Sequence, residues 1–118
     1  MENREEMTGI TVKTNVIKRN GQEVAFDISK IVNAIRKANK EVEGIHQMSG
    51  FQIQAVADNI AKKISAYSHA CNVEDIQDMV ETGIMEMRGY EVAQKYVRYR
   101  YKREISRKSN TTDDGILS

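Results

Sequence analysis

The stretch from Val16 to Ala38, VIKRNGQEVAFDISKIVNAIRKA, sets a tight turn, two adjacent cations and a helix start within a few residues of one another. Asn20-Gly21 suits a two-residue type I′ turn, because both central positions of that turn need positive φ and these residue types tolerate it. The turn predicts two short antiparallel strands, about Val12 to Arg19 and Gln22 to Phe26, with Arg19 opposite Gln22, Lys18 opposite Glu23 and Ile17 opposite Val24. Lys18 and Arg19 then stand at the open end of the ribbon, where an anion would fit. Alternation works against this, since strand neighbours point to opposite faces and both reach one phosphate only if the ribbon twists strongly. A solubilising hairpin tip is the plainer reading.

Four helices follow from apolar spacing and end signals. Asp27 is a good N-cap for the first, where Ile28, Ile31, Val32, Ile35 and Ala38 share a face up to about Lys40. Ser49 and Gln52 have capping-box spacing ahead of a second stripe, Ile53, Val56, Ala57, Ile60, Ala61 and Ile64. Asn72 caps a third helix with Glu74 and Asp75 in its first turn and Val73, Ile76, Val80, Ile84 and Met87 on its buried face. Arg88 and Gly89 stop it, and Tyr90, Ala93, Val97, Tyr101 and Ile105 line one side of a fourth. The fold class is therefore mostly α with a small β element, a hairpin over four helices. Residues 1–11 read as an unpatterned leader, 12–107 as the domain, and 108–118, rich in Ser, Asn, Thr, Asp and Gly, as a linker.

At 118 residues the chain fits one domain, and 40% hydrophobic with 30% charged residues is the profile of a soluble globular protein. No apolar run approaches the ~20 residues that cross a bilayer, and no signal or transit composition is present, so a cytoplasmic location is expected. One cysteine, Cys71, and two histidines, His46 and His69, fall short of a structural zinc site. The net charge of +1 hides segregation: Glu74, Asp75, Asp78, Glu81 and Glu86 stand without a cation, whereas Lys95, Arg98, Arg100, Lys102, Arg103, Arg107 and Lys108 face Glu104 alone.

Lys30 is an odd cation for the first turn of a helix, where the dipole favours negative charge; a bound phosphate would explain it. Lys18, Arg19, Lys30 and that helix terminus could thus form one pocket. At 3.6 residues per turn, Tyr96, Arg100, Arg103 and Arg107 form a strip away from Val97 and Tyr101. This strip is a solvated face, an anion site or a surface for single-stranded nucleic acid, where bases stack and phosphates pair. Cys71 reads as a small core residue, the acidic set as a solvated helix face, and no phosphate-loop or dinucleotide motif occurs. Nothing here makes a catalytic constellation or a metal site.

Three blocks in order, VIKRNG…FDISKI, NVEDIQDMVETGIM and YEVAQKYVRYRYKR, resemble the ATP-cone, a regulatory domain of ribonucleotide reductases and of a related repressor. The resemblance implies a β-hairpin covering a four-helix bundle that binds ATP or dATP as allosteric effector, with Mg2+ on the nucleotide. It assigns Lys18, Arg19, Lys30 and Arg103 to the phosphates, Val16 beside the nucleotide, and Val24, Phe26 and Asp27 to the segment around base and helix start. Val73 and Gln77 fall near base and sugar. The tail RYRYKREISRKSNTTDDGILS is similar to the join between cone and catalytic barrel in anaerobic ribonucleoside-triphosphate reductases. That parent implies a catalytic domain of the same chain as partner, with room for a homo-oligomer, and an enzyme of deoxyribonucleotide synthesis of which this segment is the noncatalytic part. The cone of an aerobic reductase large subunit is the alternative parent, and a nucleic-acid-binding helical module or a helical interaction domain without nucleotide are the alternative functions.

Overall fold

The computed structural model describes the backbone of residues 14–117 and the side chains of 14–106. The expected leader and the strand start at Val12 lie outside the described residues. Strand β1 (Asn15–Ile17) pairs antiparallel with β2 (Glu23–Ala25), placing Val16 opposite Val24 and Ile17 opposite Glu23. This register differs by one residue from the expected one, and the turn explains the shift. Gly21 N–H donates to the Lys18 carbonyl at 2.9 Å, Lys18 N–H donates to the Gln22 carbonyl at 2.8 Å, and only Gly21 of the turn takes positive φ, 89°. The connection is a type I turn closed by a glycine bulge, not a type I′ turn. Asn20 instead uses its side-chain oxygen to accept the Gln22 N–H at 3.0 Å. Lys18 and Arg19 consequently belong to the turn, where pleat alternation no longer separates them.

Helix α1 (Ile28–Lys40) starts at Asp27, whose carboxylate accepts the Ser29 N–H, and buries Ile31, Ile35 and Ala38. Helix α2 (Gly50–Ser65) carries the full reciprocal cap between Ser49 and Gln52 and buries the six residues of its stripe. A two-residue strand β3 (Cys71–Asn72) then pairs in parallel with β1, giving the order β2-β1-β3. Two residues ahead of a helix carry no readable alternation, so the sequence does not announce this strand. It fixes the hairpin against the start of α3 (Val73–Glu86), where Asn72 occupies the cap position without a side-chain capping bond.

The α3 stop uses its two residues in an unexpected way. Arg88, not Gly89, takes the left-handed conformation (φ 64°), with Arg88 N–H bonded to Met85 O at 2.8 Å and Gly89 N–H to Ile84 O at 3.0 Å. These are the paired bonds of a Schellman motif. Gly89 is needed for space instead: a Cβ there would stand 2.9 Å from Met48 Sδ and 3.3 Å from Ile84 Cγ2.

Helix α4 (Tyr90–Leu117) extends through the segment expected as a linker, so the backbone of residues 108–117 is helical. Its buried side is Val92, Ala93 and Tyr96, whereas Tyr90, Val97, Tyr101 and Ile105 of the expected apolar strip are exposed. The helix is turned by Arg100, which donates to Asp78 at 2.9 Å and Glu81 at 2.6 Å on α3. Apolar periodicity within α4 cannot register these tertiary ion pairs. The core is one cluster drawn from β1, β3 and all four helices, centred on Ile35, Ile60, Ile64, Ile84, Val56, Val80 and Val92. Among the described residues no helix is long and apolar enough to cross a membrane.

Candidate functional site

The hairpin, α1, the first half of α3 and α4 enclose a cavity of about 510 Å³, within the roughly 300–1,000 Å³ of ligand clefts. All ten residues singled out in the sequence line it: Val16, Lys18, Arg19, Val24, Phe26, Asp27, Lys30, Val73, Gln77 and Arg103. The elements that bring them together are the glycine-closed turn for Lys18 and Arg19, the Asp27 cap for Lys30, and the β1–β3 pairing for Val73 and Gln77. Apolar side chains of β1, β2, α1 and α3 make one wall, with Val16, Ile31, Ile76 and Val80 buried behind it. Cations from the turn, α1 and α4 line the other side, together with the carboxyl groups of Asp27 and Glu104, the amides of Asn33 and Gln77, and Tyr99.

Two of those cations are already neutralised. Arg19 donates to Glu74 at 2.5 Å and to the Gln77 side-chain oxygen at 3.1 Å, and lies 3.7 Å from Glu104. Its Nε is buried and finds no hydrogen-bond partner among the described residues. Arg100 is held by Asp78 and Glu81. Burial opposes the Arg100 charge, but the hydrogen bonds and charges of Asp78 and Glu81 outweigh it and raise its pKa. The acidic face of α3 is therefore not merely solvated, since three of its carboxylates hold arginines.

Sequence reasoning missed Lys37 and Tyr99, which also line the cavity. The Tyr99 hydroxyl accepts from Arg103 at 3.1 Å and from Lys37 at 3.5 Å, and both cations lie 5.7 Å from its ring centre. The bond from Arg103 is the main cause that holds the Tyr99 phenol below the usual range. The available signal was the spacing of Lys30, Asn33 or Ala34, and Lys37 on one side of α1.

The strip Tyr96–Arg100–Arg103 runs from the core to the surface: Tyr96 is 4% exposed and desolvation pushes its phenol up to about 12, Arg100 is half-buried, and Arg103 is exposed at the cavity rim. The Arg107 side chain, the last member of the strip, lies outside the described residues. Cys71 is buried, and desolvation first, then the Asp75 charge, raises its thiol pKa, which opposes a nucleophilic role. His46 stands 3.6 Å from Glu91 on the surface, away from the cavity lining.

Comparison with known proteins agrees with this arrangement. The ATP cone domain family matches residues 14–105. An anaerobic ribonucleoside-triphosphate reductase of Haemophilus influenzae is 30% identical over 97 residues, 81% of this chain and 13% of the relative. A vitamin B12-dependent ribonucleoside-diphosphate reductase of Mycobacterium tuberculosis is 36% identical over 96 residues, 80% of this chain and 13% of the relative. A ribonucleoside-diphosphate reductase subunit alpha of Chlamydia trachomatis is 29% identical over 109 residues, 86% of this chain and 10% of the relative. The chain thus spans only a small part of the relatives it resembles. With its hairpin, its four helices and a family match over nearly all the described residues, the chain belongs to the ATP cone domain family.

Proposed function

We propose that the chain is an allosteric regulatory domain that binds ATP or dATP in the cavity under the hairpin and controls the overall activity of an anaerobic ribonucleoside-triphosphate reductase in deoxyribonucleotide synthesis. The observation that carries this reading is the convergence of Lys18, Arg19, Lys30 and Arg103, from three separate elements, on one cavity with an apolar wall. The wall suits a base, and the cations suit phosphates. The buried, unpartnered Arg19 Nε is a donor that an anion would satisfy. Among the described residues no three His, Cys, Asp or Glu side chains gather as a metal site. Magnesium would therefore arrive on the phosphates, as is usual for this ion.

Regulation requires the two nucleotides to stabilise different arrangements, because equal affinity for both states shifts no population. The sensed difference is one 2′-hydroxyl, and the same proposal assigns Gln77, which lines the cavity on α3 as Val73 does, to the sugar. The catalytic domain of the parent chain, a homo-oligomer and a cytoplasmic location belong to the same proposal. Titration calorimetry with ATP, dATP and GTP tests it: saturable heat with the adenine nucleotides supports the sensor, and none with any of them rejects it.

The match to a ribonucleoside-diphosphate reductase subunit alpha, 29% identical over 109 residues, favours a second reading of the parent, the cone of an aerobic reductase large subunit. Reductase activity of the full-length protein that persists in air would select that alternative.

A further inference from the structure

Helix α4 gives one side to its own domain and leaves another bare. Val92, Ala93 and Tyr96 pack into the core, and Arg100 ties the helix to α3. Tyr90, Val97, Tyr101 and Ile105, by contrast, are 57%, 40%, 64% and 48% exposed. Steps of seven, four and four residues set these side chains in one line, within about 80° around the helix axis and over roughly 22 Å of its length. Single exposed apolar groups are ordinary on a protein surface. Four large ones in line over about four turns form the kind of seam by which one helix packs on another.

The two borders of this seam differ in charge. Lys95, Arg98 and Lys102 stand along one of them, and among the described residues none of the three has a carboxylate within salt-bridge distance. Glu91, at the N-terminal end of that border, lies 3.6 Å from His46, and Glu104, on the other border, lies 3.7 Å from Arg19. An apolar seam edged by three cations is complementary to a helix whose own seam is edged by Glu or Asp. It does not suit a second copy packed antiparallel along the same line, because that arrangement sets the basic border against itself. We infer that the outer face of α4, from Tyr90 to Ile105, is a docking surface for an amphipathic helix of a partner protein, one with an apolar stripe and an acidic border. Tyr101, the most exposed of the four, is its aromatic anchor. The inference goes beyond the nucleotide reading and does not depend on it, since neither the four apolar residues nor the three cations line the cavity.

The test is fluorescence anisotropy of the 118-residue chain with a labelled synthetic helix of about four turns, leucine on its seam and glutamate on its borders. A second peptide carries lysine in place of glutamate, and a third scrambles the order. The expected result is saturable binding of the glutamate peptide alone, weakened by salt. Arg98→Glu with Lys102→Glu should weaken it about tenfold or more, and Tyr101→Ser about fivefold or more. All three positions are exposed, so circular dichroism melting of the variants should match the parent chain, and if one variant is unfolded the other still reads the surface. No binding of the glutamate peptide, equal binding of the lysine or scrambled peptide, or indifference to both variants would overturn the inference. Two further results would overturn the assigned occupant: a dimer of the chain alone in sedimentation equilibrium that Tyr101→Ser dissolves, which would make it a second copy, or co-sedimentation with phosphatidylserine vesicles in place of peptide binding, which would make it a lipid surface.

Discussion

The Arg19 guanidinium lies 2.5 Å from the Glu74 carboxylate and donates to it, so a cation proposed for the phosphates is already paired with a carboxylate. On the proposed reading, a triphosphate in this cavity would compete with Glu74 for the same N–H groups. Glu74 is 59% exposed, so solvent screens the pair and its worth is about 0.2–1 kcal/mol. Glu74→Gln should therefore tighten ATP binding by up to about fivefold, read by calorimetry at low salt. Weaker binding in the variant would mean that Glu74 helps hold the ligand rather than competing with it.

Lys18 and Arg19 act on phosphate and not on base if the turn has the role proposed for it. The double substitution Lys18→Ala with Arg19→Ala should lower triphosphate affinity about tenfold or more, while adenosine binding changes little. Parallel titrations with ATP and adenosine decide the matter, and equal losses for the two ligands would contradict the assignment.

Local chemistry was legible where a signal is contained within a few residues. Asp27 with Ser29, and Ser49 with Gln52, announce their helices because a cap is a bond between close neighbours. The Asn20-Gly21 pair announced a turn but not its type, since a type I turn with a glycine bulge uses the same glycine and shifts the register by one. What stayed hidden depends on residues distant in sequence: the pairing of Cys71 with Val16, and the rotation of α4 by the Arg100 bonds to Asp78 and Glu81. Lys18, Arg19, Lys30 and Arg103 stood out by charge and position, the other six site residues came from resemblance, and Lys37 and Tyr99 needed the packing of α1 on α4.

The Asp27 cap makes part of the stability depend on pH. Its carboxyl sits below its ordinary value of 3.8, first through the Ser29 hydroxyl bond and then through the Ser29 N–H. A lowered folded-state pKa stabilises the fold above the unfolded value, and that contribution disappears as pH falls through the lowered one. Asp27→Asn keeps a capping oxygen and removes the ionisation. Denaturant midpoints measured from neutral pH to about pH 2 should show parent and variant differing most above about pH 4 and converging in acid. A gap that persists unchanged at the acid end would show that the charge is not its source.

Arg88 holds a left-handed conformation that costs a non-glycine residue about 1 kcal/mol or more, and its side chain is exposed. Arg88→Gly should raise stability by about 0.5–1 kcal/mol after the added chain entropy of glycine is counted. Chemical denaturation would register this as a higher midpoint at unchanged slope. A loss of stability would mean that the Arg88 side chain contributes more than the strain it imposes.

Gly83 sets how closely α3 approaches α2, and through α3 it sets where Val73 and Gln77 stand. A Cβ at Gly83 would lie 2.8 Å from Val56 Cγ1, and Val56 is 1% exposed on a helix where its branched side chain has one strongly preferred rotamer. Helix propensity alone favours Gly83→Ala by about 1 kcal/mol, but overpacking of this kind costs about 1–3 kcal/mol. The clash should win, with a net loss of up to about 2 kcal/mol. Val56→Ala removes the clashing methyl, so its cost should be smaller in the Gly83→Ala background than in the parent chain, a coupling that a double-mutant cycle of unfolding free energies measures directly. Additive losses would mean that α2 and α3 separate to accommodate the methyl, and nucleotide affinity should then fall with stability as the α3 wall of the cavity moves.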